Sequence, residues 1–338
     1  MRHRRLRGQG RGLSPLPPPR PTPKRLRLVV GPAEAGLTTS AFLQRRGGLS
    51  QERIDALRQA GGLFIDKRRA SKADETLRVG MELVAHLSER GREPTAARAL
   101  DLDRVLFLDD QLIVVDKPPQ LAAQGTASNV TGGLDAAVQA LLRGRGEKNL
   151  FVGLVHRLDL ETSGVTVFGR TPQAVTSLTA QFRERRVEKV YRALVAGSPN
   201  SEVFEIDQPL AADVNRPGIQ RISPQGRPAK TTFTVLRRLD GQGISAALLE
   251  ARPHTGRTHQ IRVHAAHAGL PLLGDRRYGG PSFVTAGTGA RAESPRVALH
   301  ALSLDFTHPN GRAMTLSAAW PEDLALLETS LGRIAAAP

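Results

Sequence analysis

The chain of 338 residues is long enough for two domains or three small ones, and its 40 % hydrophobic, 4 % aromatic composition implies a largely aliphatic core. It has no cysteine, which excludes a disulfide framework, a thiolate nucleophile and cysteine-held zinc, and neither a secretory leader nor a run of roughly 18 apolar residues is present, so a cytoplasmic protein with no membrane contact is expected. Lys and Arg number 48 against 32 Asp and Glu, a formal charge of +16 that suits a polyanionic partner, although nine of those cations fall within the first 30 residues.

Residues 1–27 are rich in Arg, Pro and Gly and have almost nothing to bury. They are expected to form a disordered basic tail able to touch phosphates nonspecifically. A compact module is expected over residues 28–90. Two short helices are expected at 38–46 and 50–60, the second with Ser50 as its N-cap and Ile54 and Leu57 at helical spacing. Gly61 and Gly62 stop it, and a strand follows at 63–66. A strand with a turn is expected at 77–84, and a polar linker at 91–100. The stretch LSQERIDALRQAGGLFIDKRRASKADETLRVGMELVAH resembles the small alpha-L RNA-binding domain of a small-subunit ribosomal protein. That resemblance makes Lys67, Arg68, Arg69 and Lys72 an expected RNA-binding surface.

From residue 101 the pattern turns β-rich. Two apolar runs at 104–108 and 112–116 flank Asp109-Asp110-Gln111, a hairpin signal. Further strands are expected at 165–170, 190–197, 230–238 and 246–251. A helix is marked at 171–186 by Thr171 as cap and Pro172 in the first turn. Another is marked at 258–268, stopped by Gly269. Strands interspersed with isolated helices favour an α+β domain over 101–325. The expected fold is a mixed, largely antiparallel sheet with a central cleft and flanking helices, beside a small N-terminal α/β module. A short C-terminal tail is expected at 326–338.

Three constellations carry chemistry. The run LVHRLDLETSG at 154–164 delivers a polar cluster into a tight-turn composition. Asp159 within it is by itself a nucleophile, a base or a turn cap. Tyr191, one of two tyrosines, sits among Arg185, Arg186, Lys189 and Arg192. An aromatic in a basic strand suits either sheet packing or stacking on an unpaired base. The third stretch, RPHTGRTHQIRVH at 252–264, puts cations near a helix start, where phosphate is favoured.

HRLDLETSG at 156–164, EKVYRALVAG at 188–197 and HTGRTHQIRVHAAHAGLPLLGDRRYGG at 254–280 together resemble the signatures of the RluA family of RNA pseudouridine synthases. VLFLDDQLIVVDKPPQ at 105–120 and LHALSLDFTHPNG at 299–311 match more weakly. The resemblance implies Asp159 as the catalytic aspartate and Tyr191 as the residue that stacks on the flipped base and helps move a proton. It implies Arg262 as the partner of the aspartate and Ile261 as apolar packing for the target pocket. Arg157, His156, Arg257, His259 and Lys117 are expected at the substrate. Gln120 and Gln124 stand where the family commonly has Gly and His. No cofactor and no metal is implied. The expected partner is structured RNA, ribosomal (large-subunit) rather than transfer RNA, with a monomer that needs no protein partner.

Rival expectations are weaker. His254, His259, His264 and His267 are spaced five, five and three apart, which does not match a helical zinc pair. Asp159 and Glu161 can be read as the carboxylates of a hydrolase of N-glycosidic bonds, but no separate acid stands out. A non-catalytic RNA-binding or ribosome-assembly protein would have no need of Asp159, Tyr191 and Arg262 together.

Overall fold

The computed structural model describes residues 24–59, 62–66, 68–70, 74–87, 100–124 and 132–336, and the chain divides between residues 93 and 94 into two compact units. The first unit holds β1 (Lys24–Val29), α1 (Thr39–Gly47), α2 (Gln51–Gln59), β2 (Leu63–Ile65), β3 (Arg68–Arg69) and β4 (Glu82–Leu87). Its strands form one antiparallel sheet in the order β1-β4-β2-β3. The helices start where short polar caps place them. The Thr38 hydroxyl accepts from the Ala41 N–H at 3.3 Å and that of Ser50 from the Arg53 N–H at 3.2 Å. Their apolar faces bring Phe42, Leu43, Ile54 and Leu57 onto Leu63, Ile65 and Leu83 of the sheet.

β1 begins inside the span expected to be tail. Leu26 and Leu28 alternate inward against this core, and the period of two that makes the strand is hidden by intervening arginines. Of the expected RNA-binding residues, Lys67 and Lys72 lie outside the described residues, as do residues 1–23 and 91–99 and the side chain of Arg69. Arg68 is exposed and pairs with Glu75 at 3.3 Å.

The second unit contains β5 (Val105–Leu108), β6 (Leu112–Lys117), α3 (Leu134–Gly144), β7 (Gly153–Leu154), β8 (Ser163–Gly169), α4 (Pro172–Arg183) and β9 (Glu188–Ala196). It continues with β10 (Val203–Asp207), β11 (Leu210–Ala212), β12 (Gln220–Ile222), β13 (Lys230–Arg238), β14 (Ala246–Pro253) and α5 (Gln260–His267). The last elements are β15 (Phe283–Thr285), β16 (Arg291–Glu293), β17 (Leu299–Thr307), β18 (Ala313–Ser317) and α6 (Glu322–Ala335). Ten strands make one sheet in the order β10-β13-β14-β9-β17-β8-β6-β5, with β18 on β17 and β7 on β8. Every pairing is antiparallel except β8 with β17. β11–β12 and β15–β16 form separate two-stranded ribbons. The expected α+β class and mostly antiparallel sheet are observed.

Helices cover the sheet on both faces, which explains why its central strands are apolar throughout. Leu112 and Val114 of β6 pack with Leu178 of α4, while Ile113 and Val115 pack with Val138 and Leu142 of α3. Ala193 and Val195 of β9 face Ile261 and Ala265 of α5, and Leu194 faces Leu324, Leu327 and Leu331 of α6. The last contact corrects the expected tail at 326–338: residues 326–335 continue a helix whose leucines recur every three to four positions onto the core. α5 also starts two residues later than expected, because His259 takes φ 56°, ψ 20° and cannot continue a right-handed helix.

Candidate active site

β7 and β8 are joined by residues 155–162, and this connection is fastened along its whole length. Ser163 opens β8 with its hydroxyl 2.9 Å from His300 Nδ1 of β17. Gly164 pairs with Ala301 in the parallel step between β8 and β17. Its φ is +117°, and a Cβ there would lie 2.1 Å from the Ala301 carbonyl oxygen, so only glycine fits. The Thr162 N–H donates to the Asp159 carbonyl at 3.2 Å and closes the turn. His156 stacks on Phe182 of α4 at 4.5 Å, and its Nε2 accepts from the Val167 N–H at 3.0 Å. Burial, helped by the charge of Lys189, pulls the His156 pKa down to about 3, so the ring is neutral and its Nε2 stays an acceptor.

Lys117 ties the turn from behind. Its side chain is fully buried, and Nζ donates to the carbonyls of Pro118, Leu121 and Leu160 at 3.0, 2.8 and 3.3 Å. Burial pulls its pKa down to about 7, against the upward pull of Asp159. The three carbonyls match the three protons of an ammonium. Lys117, expected at the substrate, therefore does not line the cleft: it positions the residue after Asp159. The Gln120 N–H joins it on the Leu160 carbonyl at 2.8 Å. Gln120 does so at φ 62°, a left-handed conformation that glycine, common here in the family it resembles, adopts without strain. Gln124 is exposed.

Asp159 faces the start of α5. Arg262, 1 % exposed, puts Nη1 3.3 Å from Asp159 Oδ2 and 3.4 Å from Glu161 Oε2. Its Nε and Nη2 grip Asp275 at 2.7 and 2.8 Å in a two-point fork. Burial opposes the Arg262 charge, but the Asp275 hydrogen bonds and the three carboxylates outweigh it and raise its pKa above the ordinary value. Asp275 itself is fully buried. A Cβ on Gly274 or Gly280 beside it would strike backbone carbonyls of Arg296 or Leu272 at 2.0 or 1.8 Å. Tyr278 of the same turn lies under Arg262, 5.2 Å from guanidinium carbon to ring centroid.

Tyr191 enters from β9 between Ala251 of β14 and Ala301 of β17, small neighbours that leave its ring accessible from the cleft. Burial, and then the negative charge of Asp159, raise its pKa, so the phenol keeps its proton. Ile261 is buried beside Arg262. The cleft that these residues line has a volume of about 540 Å³, within the range of small-molecule sites. Asp159, Tyr191, Arg262, Arg157, His156, Ile261, Arg257 and His259 all line it, from segments up to 106 residues apart. Arg183, Arg185, Lys189 and Arg227 complete a basic wall. Arg257 is half-buried; burial and the like charges of Arg227 and Arg185 lower its pKa. Burial and Arg185 bring Lys189 down to about 8.

Asp275, Tyr278 and Arg227 escaped the sequence reading. For the first two a signal existed in GDRRYGG, where glycines bracket an acid and an aromatic. The rival readings lose ground in the same geometry. Asp159 and Glu161 rest on one guanidinium nitrogen instead of facing each other across a substrate. Among the described residues no group of three or more His, Asp and Glu is arranged to hold a metal ion; His264 is engaged by Thr231 and the Gln208 carbonyl, and His254 by Thr232.

A carboxylate paired with a buried arginine, beside an aromatic on a broad antiparallel sheet and under a basic wall, suits chemistry on an unstacked base of RNA, and comparison with known proteins makes the class an RNA-modifying isomerase, a pseudouridine synthase. Residues 111–267 match the family described as RNA pseudouridylate synthase. The chain is 35 % identical over 301 residues to ribosomal large subunit pseudouridine synthase C of Escherichia coli (strain K12), covering 86 % of this chain and 92 % of that protein. To the protein of that name from Vibrio parahaemolyticus it is 32 % identical, over 89 % of this chain and 92 % of the relative. The chain belongs to the RNA pseudouridylate synthase family. In fold it is similar to human RNA pseudouridylate synthase domain containing 4, with a TM-score of 0.53 at 24 % identity, over 68 % of this chain and 93 % of that one.

Proposed function

We propose that this enzyme converts specific uridines of large-subunit ribosomal RNA to pseudouridine, with Asp159, Tyr191 and Arg262 as its reacting centre. The observation that carries the assignment is the convergence of these three residues on one cleft from a turn, a strand and a helix distant in sequence. The names of the relatives support the large-subunit target.

Isomerisation breaks the C1′–N1 glycosidic bond, turns the uracil in place and forms C1′–C5, with the C5 proton lost to solvent and one gained at N1. The target nucleotide has to leave its stack, at a cost of a few kcal/mol, and needs an aromatic to receive it. Tyr191 is that platform. Asp159 supplies the carboxylate that engages the nucleoside, and Arg262 holds it oriented from 3.3 Å. Ile261 keeps the pocket floor apolar. Arg157, exposed at the cleft and without a carboxylate partner among the described residues, meets the RNA instead of the reacting atoms. Arg185, Arg227, Arg257 and Lys189 hold phosphates of the strand entering the cleft, where their mutual repulsion is relieved by the polyanion. His156 acts through the backbone of β8.

The small N-terminal unit serves as an alpha-L RNA-binding module, a reading supported by its two helices on a short antiparallel sheet with Arg68 exposed and by the basic composition around it. The enzyme works as a monomer in the cytoplasm. Asp159→Asn abolishes pseudouridine formation on large-subunit RNA transcripts and leaves RNA affinity within about threefold; turnover by that variant at the wild-type rate would remove Asp159 from the mechanism. Mapping pseudouridines across total RNA from a deletion strain identifies the target, with lost sites in transfer RNA speaking against the ribosomal assignment.

A further inference from the structure

We propose that His259 is a positioning residue for Asp159, held by Tyr278 in the tautomer that carries its proton on Nε2 and presents it to the Asp159 carboxylate. The proposal rests on the isomerase assignment for its catalytic consequence and on hydrogen-bond logic for the tautomer. His259 lies between the two groups: Nδ1 is 2.6 Å from the Tyr278 hydroxyl, and Nε2 is 3.9 Å from Asp159 Oδ1. The Tyr278 hydroxyl already accepts from the Gln220 N–H at 2.9 Å. A backbone N–H can only donate, so the single phenolic proton is free to go to His259 Nδ1. That nitrogen must then be bare, and a neutral imidazole with a bare Nδ1 carries its proton on Nε2, the atom aimed at Asp159.

The surroundings keep both rings in the required state. Burial raises the Tyr278 pKa, so its proton stays on. Burial lowers that of His259 although Asp159 pulls it upward; Arg262 and Arg277 add to the lowering and Glu161 opposes it. The charged and titratable groups facing His259 are thus Asp159 and Glu161 from the β7–β8 connection, Arg262 from α5, and Arg277 and Tyr278 from the turn after α5.

The backbone supplies an independent sign. His259 sits at φ 56°, ψ 20°, immediately before α5. The left-handed region is disfavoured for a residue other than glycine, because Cβ crowds the following carbonyl oxygen, and such strain persists where other contacts over-determine the conformation. Here the His259 ring also meets the Tyr278 ring edge to face at 5.6 Å, and the same Tyr278 ring supports Arg262. One tyrosine therefore backs both groups that reach Asp159: Arg262 at Oδ2 and His259 at Oδ1. At 3.9 Å the second contact is an ion-pair distance that shortens to a hydrogen bond when substrate fills the site, as catalytic contacts commonly do.

The two amide variants of His259 separate this role from a packing role. In His259→Gln the terminal NH₂ falls near the place of Nε2 and can still donate to Asp159. In His259→Asn the amide reaches only the place of Nδ1. Backbone preference runs the other way, since Asn adopts the left-handed region more readily than Gln. On an unmodified large-subunit RNA transcript labelled with tritium at uridine C5, kcat from tritium release should fall by less than about tenfold for Gln and about 100-fold for Asn, the effect of removing one preorganised donor, with KM little changed. Nitrogen-15 NMR of the wild type at neutral pH should show His259 protonated at Nε2, and Tyr278→Phe should release a tautomer mixture. Asn matching or exceeding Gln in kcat, or a proton found on Nδ1 in the wild type, overturns the proposal. A wild type that releases no tritium sinks the isomerase assignment instead, and the NMR measurement still decides the tautomer.

Discussion

Arg262 shows how much one side chain can be asked to do. Its guanidinium spends two nitrogens on Asp275 and the third on Asp159 and Glu161, an arrangement that requires a planar fork and that an ammonium cannot reproduce. Arg262→Lys should lower kcat at least about 100-fold and cost on the order of 3–5 kcal/mol of stability, because Asp275 is left buried and unpaired. Turnover assays and denaturant unfolding of the same preparation check both, and a variant unfolding at the wild-type midpoint would refute the buried fork. Arg262 was legible in the sequence as a motif residue; for Asp275 the glycines of GDRRYGG marked the acid but not its partner, since nothing in local spacing says that an aspartate 13 positions on will fold back onto the arginine. Lys117 was misjudged for a related reason. The resemblance put it among the residues at the substrate, and only its three backbone carbonyls reveal an internal brace.

At the scale of elements, β8 is the seam that sets the turn carrying Asp159, and two histidines fasten it, His300 buried and His156 half-buried at the cleft. His156 accepts from the Val167 N–H within β8, and His300 of β17 contacts Ser163. Burial lowers the pKa of His300 to about 4 and that of His156 to about 3, from the ordinary 6.5 of an exposed imidazole. The unfolded chain therefore takes up protons first as the pH falls below about 6.5, and stability drops continuously from there toward pH 4. Since each tenfold difference in proton affinity between the folded and unfolded chain corresponds to about 1.4 kcal/mol, the combined loss at pH 4 is several kcal/mol, a large part of a typical domain's margin of about 5–15 kcal/mol. Thermal unfolding midpoints measured from pH 7.5 to 4 should decline through this window, and less steeply for His300→Gln; a flat profile would show that neither ring must ionise on unfolding. The capped helices and most long strands were readable because period and caps are local, but nine-residue β17 and five-residue β10 and β18 were not expected as strands. Three-residue β11, β12, β15 and β16 carry no period to read. α3 and α6 were passed over although Leu134, Val138 and Leu141, and Leu324, Leu327 and Leu331, already had helical spacing.

Across the whole molecule the +16 charge matters through its placement more than its size. Most described cations outside the cleft have a carboxylate nearby, whereas Arg185, Arg227 and Arg257 at the cleft have none among the described residues. Replacing Arg227 and Arg257 together by Ala should make the slope of log affinity against log salt shallower by about 1.4–1.8, at roughly 0.7–0.9 per lost phosphate contact; filter-binding titrations from low to moderate salt read this directly, and an unchanged slope would place the phosphates elsewhere. The isomerase class and the α+β architecture could be read from the order of amino acids, because they are written in long motifs and in local periodicity, and the same motifs named the three residues proposed to react. Folding had to be seen before Asp275, Glu161 and Tyr278 emerged as supports of the Asp159–Arg262 pair, Lys117 as an inward brace and His259 as a strained neighbour of the catalytic turn. Such relations depend on which distant segments the sheet brings within a few ångströms, and charge compensation in a buried site acts over that distance regardless of separation along the chain.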